Sequence, residues 1–498
     1  MGPSLTACSL ACTVRTQYLA SLLLMPPENA KNIDRWHHQT DLLVVGFGCA
    51  GAAAALEAEA AGARVTLLDK ASGAGGTTAN SGGVIYLGGG TPLQTDCGFE
   101  DSPEEMFKYL MASCGPAPDE DRVRAYSEGS VEHYHWFLER GVPFKAVYYP
   151  HYSGEPPTDD GLVFSGSEEA WPYNTIARPA PRGHVPQAPH QAGPLLMQKL
   201  EAAVTATSVE VLTDTRCQRL VLDEGRVVGA VASRDGRDFV VRADRGVVLA
   251  TGGFIENKEM VRTHAPLLQK CKYRVGAGGD DGSGIRMGAE AGGATCNMSY
   301  GSVSLPIIPP KSLLRGIMVD EQGQRFINED VYYGLLGAAA LYKAKGRAYL
   351  ILDGDTYEPP EVERELAGVG EDAAELERKL GMAPGALEGT LEQYNRYAVD
   401  GQDPAFHKAA GYVVPLRAPY AALDCTTENS LYAVFTLGGL WTDTGGGVLD
   451  PDGQRVPGLW AAGRASAALS APGYSSGLSI GDGTFFGRRA GREAAASK

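Results

Sequence analysis

Three glycines in the spacing G-x-G-x-x-G, Gly46, Gly48 and Gly51, stand directly after the apolar run Leu42 to Val45. Glycines so spaced serve phosphate binding. Gly46 permits a tight turn, Gly48 lets backbone approach a pyrophosphate, and Gly51 lets a helix meet a strand. Asp69 stands about 20 residues beyond them, where a carboxylate accepts hydrogen bonds from an adenosine ribose.

The elements that must position these residues surround them. Leu42 to Val45 reads as a short buried strand, Ala50 to Ala61 as an alanine-rich helix packed close to a sheet, and Arg64 to Leu68 as a second strand. The helix N-terminus offers unpaired N–H groups to the phosphates. An ordinary strand–turn–helix would leave Asp69 unexplained, so the order predicts a dinucleotide site. Ala71 to Gly83 is too rich in glycine and hydroxyls for core. Its N–H groups and short hydroxyls suit a flavin's ribityl chain and phosphates, a second cradle that NAD-only domains do not need.

A chain of 498 residues is long enough for two domains with full cores. Its 44% apolar and 21% charged residues are ordinary for a globular protein. The net charge of -16 argues against nucleic acid or an anionic membrane as partner. Nine cysteines without a C-x-x-C pair exclude c-type haem attachment, give no zinc or iron–sulfur spacing, and fit a cytoplasmic location. Residues 1–39 lack periodicity and read as a weakly ordered arm. Within them Tyr18 to Met25, behind Arg15, faintly resembles a signal peptide but is short and lacks an A-x-A site. No later segment has the length of a membrane span.

Ser102-Pro103-Glu104-Glu105 is a helix start, with Ser102 as cap and Pro103 at the first position. Ala146 to Pro189 reads as an irregular packed loop in which His184 either faces a ligand or holds backbone, the second being the commoner role of such a histidine. Arg245 to Gly253 reads as a buried strand that returns to the first sheet and lays small residues against the cofactor.

Together these segments resemble FAD-dependent oxidoreductases of the fumarate reductase and succinate dehydrogenase flavoprotein group. The carriers are Gly46 to Gly51, Gly75-Gly76-Thr77-Thr78 with Ser81-Gly82-Gly83, and Ala250-Thr251-Gly252-Gly253-Phe254. Further carriers are Gly279 to Gly284, Arg325 to Glu329, Thr436 to Leu440 and Leu459 to Gly463. The resemblance implies an α/β fold: a Rossmann-like FAD-binding domain of the glutathione-reductase type over residues 40–271 and 425–498, with an inserted α+β cap over 272–424. It implies non-covalent FAD held by Gly46, Gly48, Cys49, Ala50, Gly51, Asp69 and Lys70, and by Gly76, Thr77, Thr78, Ser81, Gly82 and Gly83. Cys217, Ala250, Thr251, Gly252, Asp281, Gly463, Arg464, Gly477, Leu478 and Ser479 complete that set.

The reacting end departs from fumarate reductases. Val434 and Phe435 stand where those enzymes carry a histidine, Gly473 to Ser479 replaces their arginine segment, and Tyr332-Tyr333 replaces their proton-donating arginine. Phenols and hydroxyls in place of cations argue against a dicarboxylate and for a neutral ketone on an apolar body. The pattern is similar to the 3-ketosteroid Δ4-(5α)-dehydrogenases, in which a cap tyrosine meets a C-terminal Tyr-x-Ser. Tyr474 and Ser476 match the latter, and Tyr332 or Tyr333 the former. The implied activity is desaturation at the α,β bond of a 3-ketosteroid, with Tyr474 and the N–H near Gly477 on the ketone oxygen and Ser476 relaying a proton. A small apolar ketone and an external electron acceptor are the implied partners. Δ1-desaturation, enoate reduction by the same steps reversed, and a flavin electron carrier without organic substrate are the competing readings.

Overall fold

The structure, a computed structural model, describes residues 26–151, 156–308 and 310–497. Strand β1 (His38–Val45), helix α1 (Cys49–Ala60) and strand β2 (Val65–Leu68) follow one another as the apolar and alanine-rich runs require. Strands β3 (Glu210–Leu212), β4 (Arg237–Leu249) and β5 (Arg455–Ala461) join them in parallel, in the spatial order β3-β2-β1-β4-β5. Leu42, Leu43 and Val44 are fully buried, because helices and other strands cover both faces of such a sheet. The first half of β4 also pairs antiparallel with Arg226–Arg234, which pairs in turn with Thr215–Asp223.

Beyond this sheet lie helix α2 (Ser283–Glu290), helix α3 (Tyr333–Tyr342) and the last helix, α4 (Leu478–Ala496). Helix α4 lies directly on the backbone of α1. A Cβ on Gly487 would fall 2.6 Å from Ala50 O, and one on Gly491 would fall 2.1 Å from Ala54 O. Glycines spaced by four on α4 and alanines on α1 are what allow so close an approach.

Residues 317–424 build a separate four-stranded antiparallel sheet, in the order Ile317–Asp320, Ala348–Asp353, Tyr420–Asp424, Leu366–Gly370. A three-stranded sheet of Tyr273–Arg274, Ala433–Thr436 and Gly301–Ser304 ties this region to the chain that follows it.

The expected weakly ordered arm needs correction. Residues 1–25, with the run Tyr18 to Met25, lie outside the described residues. Over 26–39 the chain is built in: Glu28–Asn29 pairs in parallel with Val221–Leu222, and His37 Nδ1 accepts the Val240 N–H at 3.0 Å. Ile33 and Trp36 pack on Val221, Val231 and Val240. Two apolar side chains without periodicity suffice to dock an edge, and no sequence pattern announces them. Ser102 caps its helix by accepting the Glu105 N–H, as read. His184 is buried, its Nε2 2.8 Å from Thr91 Oγ1 and its Nδ1 3.1 Å from Arg182 O. It does hold backbone. No helix among the described residues is long and apolar enough to cross a membrane.

Candidate active site

One cavity of about 1150 Å³ opens where β1, β2 and β4 end, lined by Val45, Leu68 and Ala250. Ligands bind at the carboxyl ends of parallel strands, and the space exceeds the upper range of about 1,000 Å³ for a single small-molecule site. It has room for a dinucleotide and a second molecule.

Gly46, Gly48, Cys49, Ala50, Asp69, Lys70, Gly76, Thr77, Thr78, Ser81, Gly82 and Gly83 line its first part. Cys217, Ala250, Thr251, Gly252, Asp281, Gly463, Arg464, Gly477 and Ser479 line the rest. Two expected residues do not. Gly51 lies behind the turn, where a Cβ would fall 1.8 Å from Gly46 O; it serves helix–strand approach, as its spacing implies. Leu478 is buried with Tyr86, Phe485 and Phe486, and Ile480 lines the wall instead. That face of α4 turns inward to fill core.

Several polar groups of the lining are also tied to the chain itself. Asp69 braces the glycine turn, accepting the Phe47 N–H at 2.6 Å and the Ala71 N–H at 2.7 Å. Thr77 Oγ1 donates to Asp280 at 2.7 Å and accepts the Ala277 N–H at 2.9 Å, while Ser81 Oγ donates to Thr78 O at 2.7 Å. These hydroxyls shape the cradle. Asp281 pairs with Lys70 at 2.9 Å and accepts the Ser283 N–H at the start of α2. Burial would raise the Asp281 carboxyl, yet its bonds to Lys70 and Ser283 hold it below the usual range.

Asp280, missed in the sequence reading, is the buried acid at the centre of the cradle. It binds Arg464 Nη2 at 2.6 Å, and its Oδ1 lies 2.1 Å from where a Cβ on Gly252 would stand. Two adjacent acids between glycines were the signal, and only the pleat of the backbone decides which points inward.

The chain's groups fit a bound nucleotide. Thr251 Oγ1 and Arg464 Nη1 are buried and lack a hydrogen-bond partner, a state costing about 1–3 kcal/mol each unless a ligand supplies one. Gly46 has φ of +109° and Cβ space ending 2.4 Å from Ala250 O. Gly51→Ala forces the turn apart at a cost of roughly 1–3 kcal/mol or more. The expected result is protein purified with less than about a tenth of the parental flavin, read from its visible absorbance.

At the other end the cavity is lined by Tyr332, Tyr333, Tyr474, Ser476, Ser304 and the apolar Val275, Pro306, Ile308, Ala433 and Phe435. Tyr332 caps α3 and its ring lies 4.2 Å from that of Tyr333. Its hydroxyl hydrogen-bonds Tyr333 and Ser476. Burial, with Tyr333 beside it, pushes the Tyr332 phenol far above the ordinary tyrosine value. Tyr474 stands edge-on to Phe435 at 5.3 Å, and its hydroxyl accepts the Ser479 N–H at 3.2 Å. Burial raises its pKa as well, opposed by hydrogen bonds from Ser479 and by the Arg464 charge. Arg464 is the guanidinium nearest this end. It is tied to Asp280, and its guanidinium lies over the Phe435 ring, 5.3 Å from the centroid.

The chain belongs to the FAD binding domain family, which it matches over residues 41–478. Its cofactor is FAD. Within that family it is 43% identical, with a TM-score of 0.90, to the 3-ketosteroid Δ4-(5α)-dehydrogenase of Rhodococcus jostii RHA1 crystallised with 4-androstene-3,17-dione, over 95% of this chain and 100% of that one. It is 28% identical to the 3-oxo-5-alpha-steroid 4-dehydrogenase of Comamonas testosteroni, over 86% of this chain and 93% of that protein. A flavocytochrome c3 fumarate reductase in its open conformation is 28% identical with a TM-score of 0.63, covering 92% of this chain and 78% of that one.

Proposed function

We propose that the protein is an FAD-dependent dehydrogenase of 3-ketosteroids that introduces the Δ4 double bond into a 5α-reduced ring. The observation that carries this reading is the reacting end of the cavity. Hydroxyls and apolar side chains line it, and the Arg464 guanidinium beside Phe435 is already paired with Asp280. A carboxylate substrate buried there would have to share Arg464 with Asp280, which is unfavourable. A neutral carbonyl on a hydrocarbon frame meets both requirements.

Desaturation removes a proton from the α-carbon and a second hydrogen, with its electron pair, from the β-carbon. FAD, when bound, supplies the acceptor for that electron pair, which an external acceptor later removes. The chain must stabilise charge on the ketone oxygen as the α-proton leaves. Tyr474 is the donor: its oxygen already accepts Ser479 N–H, so its own proton is free to point at a ligand. Hydrogen bonds of this kind contribute about 3 kcal/mol each where water is excluded. Tyr332 and Ser476 form the proton-accepting pair, because their hydroxyls face one another at this end of the cavity and Ser476 can carry on the proton that passes through Tyr332. Tyr333 packs against Tyr332 and fixes its ring.

The seven cysteines among the described residues are all unpaired thiols, five of them buried and two partly buried, which fits a reducing cytoplasm. The test of the reading is anaerobic mixing with 5α-androstane-3,17-dione. The yellow flavin colour is expected to bleach within one turnover. An unchanged spectrum, with bleaching only by a Δ4-steroid, would move the assignment to Δ1-desaturation.

A further inference from the structure

The segment Ser165–Glu168 touches both halves of the proton-accepting pair. Ser165 O accepts the Ser476 N–H at 2.7 Å, and Ser167 Oγ accepts the Tyr332 N–H at 3.0 Å. Behind it, the Tyr109 hydroxyl accepts the Ser167 N–H at 2.8 Å and lies 2.9 Å from Ser475 Oγ. No side chain fits between: a Cβ on Gly166 would fall 2.3 Å from Tyr109 Oη and 2.4 Å from Ser475 Oγ. The segment is a spacer whose position sets where Tyr332 and Ser476 stand.

Glu168 is what anchors it. The residue is 1% exposed. Its Oε1 accepts the Tyr86 hydroxyl proton at 2.9 Å and its Oε2 accepts the Gly166 N–H at 2.9 Å. Tyr86 leads back to the site by a second route, since its N–H bonds Gly477 O at 3.2 Å, at the start of α4. The groups facing Glu168 are Tyr86, Tyr109, Tyr148 and Arg182. Arg182 spends two hydrogen bonds on Asp101, at 2.9 and 2.7 Å. An ordinary buried structural acid has a cation hydrogen-bonded to it, as Asp101 does; Glu168 has two neutral donors.

We propose that Glu168 is a positioning residue: its ionised carboxylate, gripping Tyr86 and Gly166 at once, holds the Ser165–Glu168 segment so that Tyr332 and Ser476 are aligned for proton removal. The inference rests on the dehydrogenase reading above. When Glu168 takes up a proton on Oε1, the Tyr86 hydroxyl must turn from donor to acceptor and both bonds lose the charge that strengthens them, so the segment loosens. Burial pushes its pKa up to about 7, against the pull of Arg182. Bleaching therefore speeds up as pH rises through that region.

The test measures the rate of anaerobic flavin bleaching by 5α-androstane-3,17-dione against pH. In the parental protein an inflection near pH 7 is expected. Glu168→Gln keeps the shape but cannot ionise. It is expected to bleach about tenfold more slowly or worse, with steroid affinity within about threefold and no inflection. Tyr86→Phe removes one donor to the carboxylate, so the inflection is expected to move to higher pH. A Glu168→Gln protein with parental rate and inflection overturns the inference, as does a Tyr86→Phe protein whose inflection stays in place. A parental protein that no 3-ketosteroid bleaches overturns the dehydrogenase reading itself, and this inference with it.

Discussion

Tyr474→Phe is expected to slow flavin reduction by steroid about 10²- to 10³-fold, while FAD content and steroid affinity stay near parental. The change deletes one oxygen from a buried ring that keeps its contact with Phe435, so packing is nearly conserved. What is lost is the donor to the developing negative charge on the ketone, an interaction stronger in the transition state than in the ground state. The two tyrosines differ in the direction that assigns their roles. Tyr332 is pushed far up by burial and by Tyr333, whereas Ser479 hydrogen bonds and the Arg464 charge restrain the rise at Tyr474. Paired titratable groups whose environments separate their pKa values mark an acid and a base. In the proposed mechanism Tyr474 donates to the carbonyl, and Tyr332 accepts the α-proton with Ser476. With Tyr332 titrating well above the ordinary tyrosine value, the rate keeps rising to the alkaline end without a plateau, and Tyr332→Phe removes that rise. A flat profile from about pH 8 to 10 would take the proton-accepting role away from tyrosine.

The nucleotide half of the site was legible because local backbone makes it. Gly46, Gly48 and Gly51 act through φ values and missing side chains within one turn, and their order in the chain is their order in space. The side-chain partners were not legible in the same way. Asp69 reads as a ribose ligand; its oxygens in addition serve the Phe47 and Ala71 N–H groups, a demand created by the turn itself. Thr77 reads as a phosphate contact, yet its hydroxyl meets Asp280, a residue far along the chain. Tyr332 and Tyr333 both line the cavity, and the position of Tyr332 depends on how α3 is capped, since its backbone at the cap is non-helical. Glu168 carries no motif at all. It becomes visible only when the loop around it is folded against Tyr86 and Tyr109, because its meaning lies in what it lacks, a cation bonded to it.

Lys408→Met is expected to lower the unfolding free energy of the region that carries Tyr332 by about 3–5 kcal/mol. Lys408 is wholly buried, and its Nζ binds Glu329 at 2.8 Å, Leu314 O at 3.0 Å and Gly316 O at 2.5 Å. Glu329, equally buried, also accepts both arms of Arg325, at 2.9 and 2.7 Å, and the Met318 N–H at 2.8 Å. Arg325 reaches on to Asp403 at 2.8 Å. Two cations thus balance two anions out of water, and burial alone would raise the Glu329 carboxyl. Arg325 and Lys408 instead hold it below the usual range. Removing Lys408 leaves one negative charge unmatched and two carbonyl groups without their donor. Removing both partners leaves Arg325 with Asp403, a matched pair, so Glu329→Gln combined with Lys408→Met is expected to recover a large part of the loss. Because Glu329 precedes Tyr332 by three residues, the single variant should also slow bleaching by steroid, and the double variant should regain some of that rate. Urea unfolding midpoints for the parent, both singles and the double form a cycle that measures the coupling. If Lys408→Met unfolds where the parent does, the buried charges are not what holds the cap tyrosine in place.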